Sequence, residues 1–264
     1  MNNIIILGSG RSGTSMLAGM FANLDCFFGD NPNYLGKNKS NPKGFYEDYE
    51  INTINEDILK QNLTSIPEIL RKVFFPSFTF YRARWLARLP LNKKIISNDS
   101  IENKIVKMIQ KSPFCYKDPR FSYTLPTWQK ILRRKKIDVK YIVVYREPNK
   151  TASSIVRECE ENKALHTLKM KHMIALKVWE LMYSHILKNY NKDVNKDNWM
   201  FIHYNQLFNE SNLDEIEKHT NSKFNRYFPN KQLSRTFTQN FSKVMLPDKV
   251  KTIYNQLNTL SKYI

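Results

Sequence analysis

Where this chain places its glycines constrains it most. It has only seven, against roughly eighteen at average usage for this length, and all lie between Gly8 and Gly44. Gly8, Gly10 and Gly13 fall within one short stretch. A chain so sparing of glycine needs unusual backbone geometry there, because glycine alone takes positive φ without steric cost. Before the stretch, Asn3-Ile4-Ile5-Ile6-Leu7 reads as a buried strand. After it, Met16, Leu17, Met20, Phe21 and Leu24 recur at helical spacing and predict a helix over 14–23. A strand, a glycine turn and a helix aim backbone N–H groups and the positive end of a helix dipole at one point, which is an anion site.

The rest of the chain repeats the alternation. Ile51, Ile54, Ile58 and Leu59 share one face of a helix expected over 47–62. Residues 66–89 are aromatic and basic and read as helical with a break near Pro76. A strand is expected at Lys94-Ile95-Ile96, a helix over 101–110, and a strand at Phe114-Cys115-Tyr116. A helix then starts near Pro126 and reaches Arg134. The strongest later strand covers 139–145, helices cover 150–161 and 165–188, and a last strand covers 199–202. Such alternation implies βαβ units and a parallel sheet with helices on both faces. No repeat and no long linker divides the chain, so the expected fold is one α/β domain over 1–264: a mostly parallel sheet flanked by helices, mostly helical from about 205.

Charge narrows the ligands. Lys and Arg number 42 against 24 Asp and Glu, a net charge of +18, which favours a polyanionic partner. No RNA-recognition signature, zinc finger or basic zipper is present, so no specific nucleic acid is indicated. No apolar run approaches the roughly 20 residues a membrane span needs, and Met1-Asn2-Asn3 lacks the basic region of a signal peptide. Cys26, Cys115 and Cys159 are odd in number and far apart, with neither a disulfide framework nor a metal spacing. A reducing, cytoplasmic setting is the expectation, with peripheral membrane contact left open. The five histidines have no ligand spacing, and no metal is expected.

The loop itself, Gly8-Ser9-Gly10-Arg11-Ser12-Gly13-Thr14-Ser15, satisfies the dinucleotide pattern G-x-G-x-x-G and nearly satisfies G-x-x-x-x-G-K-[ST], with Thr14 in place of the lysine. A dinucleotide site calls for an acidic residue about 20 positions on, a role open to Asp30. An ATP site calls for the missing lysine and for magnesium. Here a cation, Arg11, lies inside the loop, and Ser12, Thr14 and Ser15 supply hydroxyls. That set suits a compact, highly charged group held without a metal. An ordinary tight turn is the remaining reading.

Arg11-Ser12-Gly13-Thr14-Ser15 after an apolar strand resembles the 5′-phosphosulfate loop of sulfotransferases that use 3′-phosphoadenosine-5′-phosphosulfate (PAPS). The resemblance implies a P-loop-like fold, with Gly10, Arg11, Ser12, Gly13, Thr14 and Ser15 on the donor. Asn41-Pro42-Lys43-Gly44-Phe45-Tyr46-Glu47-Asp48 resembles the family's segment in which an acidic residue precedes the helix lining the acceptor site. This implies Glu47 as base, with Asp48 the alternate, although both also suit a helix N-terminus. Tyr116-Lys117-Asp118-Pro119-Arg120 resembles a Lys-Asp-Pro motif. It gives Lys117 the transferring group and Arg120 the acceptor or cofactor, against a plain surface turn in which Lys and Asp pair. Val143-Val144-Tyr145-Arg146-Glu147-Pro148 with Ala152-Ser153-Ser154 resembles the 3′-phosphate site. It implies Arg146 and Ser154 as ligands, against an Arg146 that simply pairs with Glu147 or Glu158. Near 203–207 the family often has Arg-Tyr-Glu-Asp-Leu, but here His203, Asn205 and Gln206 replace the charges, and Tyr204 and Leu207 read as packing residues.

The expected activity is therefore PAPS-dependent sulfuryl transfer to a hydroxyl of a carbohydrate or glycolipid, with Glu47, Lys117 and Arg11 catalytic. The alternatives are a P-loop kinase of a small alcohol and a non-catalytic basic module that binds polyanions. The aromatics Phe75, Phe78, Phe80, Tyr81 and Trp85, with Arg82 and Arg84, suit either an acceptor lid or a packed helix. Arg235 or Ser242 is available to complete the cofactor site.

Overall fold

A computed structural model describes residues 1–22, 24, 26–38, 41–64, 83–230 and 244–263. Strand β1 (Asn3–Leu7) is buried from Ile4 onward on both faces, as a central parallel strand must be. Its alternate side chains feed two cores. Ile4 and Ile6 pack with Leu17, Met20 and Phe21 of helix α1 (Thr14–Phe21), and Ile5 and Leu7 pack on the opposite face. That second core holds Ile51, Ile54 and Ile58 of α2 (Tyr49–Thr64), Ile105 of α3 (Asp99–Ile109), and Leu125 and Trp128 of α4 (Phe121–Arg134).

Strand β2 (Cys115–Lys117) lies on one side of β1 and β3 (Val139–Tyr145) on the other, with β4 (Trp199–His203) outside β3. All pairings are parallel, and the order is β2-β1-β3-β4. Helices α5 (Pro148–Glu161) and α6 (His172–Lys192) connect β3 to β4. After β4 come a 3-10 turn (Tyr204–Phe208), α7 (Glu210–Thr220) and α8 (Asp248–Ser261). The register sets Ile6 beside Lys117, Leu7 beside Val143 and Tyr145 beside His203. The chain thus leaves all four strands along one edge, where open α/β sheets bind their ligands.

Three local expectations differ from the structure. Lys94-Ile95-Ile96 forms no strand. Instead the side-chain amide of Asn62 donates to the Ile96 carbonyl at 2.8 Å and accepts the Ile96 N–H at 3.0 Å. One side chain satisfies the backbone groups that a neighbouring strand would have taken. Pro126 lies inside α4 rather than at its start, where the deep burial of Phe121, Tyr123, Leu125 and Trp128 outweighs the hydrogen bond it forgoes. The long helix begins at His172, not near 165, because Lys169 takes a left-handed conformation (φ 45) after a separate turn at His166–Leu168. Of the aromatic stretch, 66–82 lies outside the described residues, and Arg84–Leu86 forms a short 3-10 turn. Arg235 and Ser242 also lie outside them.

Candidate active site

The glycine loop leaves the end of β1 and closes on itself. Ser12 donates to the Ser9 carbonyl through its hydroxyl at 2.7 Å and through its backbone N–H at 3.3 Å. The Tyr183 hydroxyl accepts the Ser9 N–H at 3.3 Å and donates to the Val144 carbonyl at 2.7 Å, tying the loop to β3. Burial pushes that phenol up to about 12, so it stays a neutral donor. Two glycines are required by space as well as φ. A Cβ on Gly8 (φ 148) would come within 2.3 Å of the Val144 carbonyl, and one on Gly13 (φ 100) within 2.4 Å of the Tyr204 ring. A Cβ on Gly10 would likewise meet the Trp85 ring at 2.5 Å. Thr14 is buried at the start of α1, and Ser15 is half-buried beside it.

Arg11 takes φ 70 without being glycine, a strain of about 1–3 kcal/mol. Its guanidinium leaves the loop for α5: Nε donates to the Ser154 hydroxyl at 3.0 Å, and a terminal nitrogen lies 3.6 Å from the Glu158 carboxylate. Arg146, at the end of β3, places its guanidinium 5.0 Å from the centre of the Tyr204 ring, a cation–π distance. Burial holds Arg146 below its ordinary value, and the neighbouring cations Arg11 and Arg157 add to that. Nearby, Glu158 lies 3.6 Å from Arg11, and Glu147 pairs with Lys150 at 2.7 Å while its charge also favours the charged form of Arg146. The structure therefore brings Arg11, Arg146 and Ser154 together beside the loop.

At the end of β2 the Lys117 ammonium donates to Glu47 at 2.5 Å, both side chains being buried. A polar network stands behind this pair. Arg120 donates to Glu56 at 2.6 Å, to Asp118 at 2.9 Å and to Asn52 at 3.2 Å, and lies 3.9 Å from the second oxygen of Glu47. Arg84 pairs with Glu56 from the other side. Asn52 and Asn55 donate to Asp118 at 3.1 and 2.9 Å, and Asn55 accepts from Thr124 and Trp128. Lys117, Arg120 and Arg84 thus balance Glu47, Glu56 and Asp118. Buried ions tolerate one another only when paired and hydrogen-bonded in this way.

The two glutamates differ in charge environment. Burial raises Glu47 above the usual carboxylate range, an effect that Lys117 only partly offsets. Burial also acts on Glu56, but Arg120 and Arg84 together hold it below its usual value. Asp48 is employed differently. Its carboxylate accepts the N–H groups of Asn31, Glu50 and Ile51 at 2.9, 2.9 and 3.0 Å. It is the N-cap of α2, which is why the helix starts at Tyr49 and why Glu47 stands just before it. Arg120, given to acceptor or cofactor by the sequence, spends its donors on Glu56, Asp118 and Asn52. Asp30 pairs with Lys111 at the surface.

Sequence reasoning missed Asn52, Asn55 and Glu56, and offered Arg84 only to a lid or a packed helix. A signal existed for the first three: they sit at i, i+3 and i+4 on α2, among isoleucines that are wholly buried. Tyr204 is buried, and its ring lies against Gly13 and 5.0 Å from the Arg146 guanidinium.

A family model described as "Sulfotransferase family" matches residues 3–218. The chain belongs to the sulfotransferase family. Two solved structures share the fold. One is a sulfotransferase domain from the curacin biosynthetic pathway (TM-score 0.55, 16% identity, covering 97% of each chain). The other is a sulfotransferase domain from the Synechococcus PCC 7002 olefin synthase (TM-score 0.52, 15% identity, covering 100% of this chain and 95% of that one). No curated protein matches the sequence. In this sulfotransferase-family chain, among the described residues, no helix is long and apolar enough to cross a membrane.

Proposed function

We propose that this chain, taken as one catalytic domain over 1–264, transfers the sulfuryl group of PAPS to an acceptor hydroxyl. The observation that carries the reading is the reach of Arg11 from the glycine loop to Ser154. It joins the loop and the Arg146 corner into one continuous anion site. A nucleotide with anions only at its 5′ end would use half of it, whereas a donor with both a 5′-phosphosulfate and a 3′-phosphate uses all of it. The groups present suit that donor: the loop N–H groups, Gly10, Ser12, Gly13, Thr14 and Ser15 for the 5′ end, and Arg146 with Ser154 for the 3′-phosphate. Arginine gives phosphate charge-assisted, bidentate bonds.

The donor supplies a sulfuryl group on a phosphate leaving group, so the S–O bond to phosphate breaks as the acceptor oxygen bonds to sulfur. Glu47 takes the acceptor's proton. One of its oxygens is held by Lys117, and the other, 3.9 Å from Arg120, is left for the hydroxyl. Its raised affinity for protons brings it closer to the basicity such a transfer needs. Lys117 and Arg11 meet the negative charge that grows on the transferring and leaving oxygens. The acceptor is assigned to a carbohydrate or glycolipid hydroxyl, in keeping with the chain's net charge of +18.

Isothermal titration with 3′-phosphoadenosine-5′-phosphate, beside 5′-AMP and magnesium-ATP, tests the donor. Binding that is micromolar and collapses without the 3′-phosphate is expected. Equal or tighter binding of magnesium-ATP would replace this reading with a kinase.

A further inference from the structure

The family match ends at residue 218, yet the last turn of α8 docks on both sides of the Arg146 corner. Helix α8 stops at Ser261, and Lys262 turns left-handed (φ 54). The Tyr263 N–H returns to the Asn258 carbonyl at 3.0 Å. This terminal hook folds Tyr263 back onto β4. Its ring stacks on the buried His203 imidazole, with centroids 3.8 Å apart and planes 16° from parallel. Its hydroxyl accepts from the Asn205 side chain at 2.9 Å. Gln206 donates to the Ser261 carbonyl at 2.9 Å. On the other side, the Tyr145 hydroxyl meets the Ser261 hydroxyl at 2.5 Å and Asn258 at 2.9 Å.

His203, Asn205 and Gln206 are the three residues that replace the family's usual charges. Here each is occupied by the hook, and each also shapes the turn that carries Tyr204. His203 accepts the Asn205 N–H at 3.2 Å, and Gln206 accepts the His203 N–H at 2.7 Å, a reciprocal cap on the 3-10 turn. Tyr204 opens that turn, and its ring fills the space between Gly13 and Arg146. Tyr145, gripped from the other side, immediately precedes Arg146.

We infer that Tyr263 is a positioning residue for the donor site: by stacking on His203 it fixes the turn that sets Tyr204 against Gly13 and Arg146. The inference rests on the donor reading above. The ring path predicts a donor-specific effect. Loss of the stack frees the turn, Tyr204 and then Arg146, while Glu47 and Lys117 lie across the sheet at the end of β2 and are untouched.

The test compares wild type with Tyr263→Ala, Tyr263→Phe, Asn205→Ala and, as a control within α8, Val250→Ala, whose buried side chain lies in the main core. Titration with 3′-phosphoadenosine-5′-phosphate and steady-state rates are read for each. Tyr263→Ala is expected to raise donor Kd and KM about tenfold, with kcat and acceptor KM within about twofold of wild type. Tyr263→Phe keeps the stack and is expected within about twofold, and Asn205→Ala, which removes the amide that holds the Tyr263 hydroxyl and alters a residue of the turn itself, at about threefold. Should Tyr263→Ala fail to fold, the Asn205→Ala and Tyr263→Phe values decide. Unchanged donor affinity in Tyr263→Ala, or an equal loss in Val250→Ala at matched thermal stability, overturns the inference alone. A wild-type protein that does not bind the nucleotide overturns the donor reading, and this one with it.

Discussion

Two side chains carry most of the chemistry proposed for this site, and each predicts a different kinetic signature. Glu47→Gln keeps the shape but removes the base. It should lower kcat by about 10²-fold or more while the affinity for 3′-phosphoadenosine-5′-phosphate persists. Because burial raises Glu47, the acid limb of the wild-type kcat/KM profile should fall above the ordinary carboxylate midpoint: the base works only when deprotonated, so a raised value moves the limb to higher pH. A limb at the ordinary midpoint would remove Glu47 from that role. Arg146→Ala should act on the other parameter. Loss of charge-assisted bonds of about 1.5–3 kcal/mol corresponds to a donor KM higher by about one to two orders of magnitude, and an unchanged KM would release Arg146 from the 3′-phosphate.

Among elements, the strand-loop-helix at the start of the chain was the most legible. Its burial is nearly uniform, and its glycines are placed where no Cβ fits. Gly13→Ala should abolish donor binding with little loss of secondary structure by circular dichroism, since the new methyl meets the Tyr204 ring beside the loop and no strand of the sheet. By contrast Asn98, the cap of α3, accepts the Ile101 N–H at 2.9 Å far along the chain from the loop. Asn98→Ala should cost about 1 kcal/mol of stability and leave donor KM unchanged. What the sequence did not reveal has one physical cause. Lys94-Ile95-Ile96 looked like a strand because local pattern cannot see that Asn62, more than thirty residues earlier in the chain, supplies its hydrogen bonds. The same blindness hid the pairing of Arg84 with Glu56 of α2. The places of Lys117 and Arg146 at the ends of β2 and β3 were legible, because a parallel sheet brings the ends of its strands to one edge whatever the details of packing.

At the scale of the whole molecule, His185, His203 and His219 are all held down to about 4, chiefly by burial. In the unfolded chain they titrate near 6.5. Their folded values are depressed, so the unfolded state binds more protons as pH falls, and stability present above about 6.5 drains away toward 4. The urea midpoint should therefore decline steadily between pH 7 and pH 4.5, and a flat profile would contradict the neutral burial of these rings. The balanced ions behind Glu47 impose a different discipline, one visible in mutational statistics rather than in titrations. Removing Arg84 alone leaves Glu56 to Arg120, and removing Glu56 alone takes a carboxylate from both Arg84 and Arg120; either unbalances a buried ion network, at a cost of about 3–5 kcal/mol. Removing both with apolar residues of similar volume should cost far less than the sum. In a pairwise mutational scan these positions should thus display strong positive epistasis, so that drift through this part of the site proceeds by coordinated exchanges and seldom by single steps.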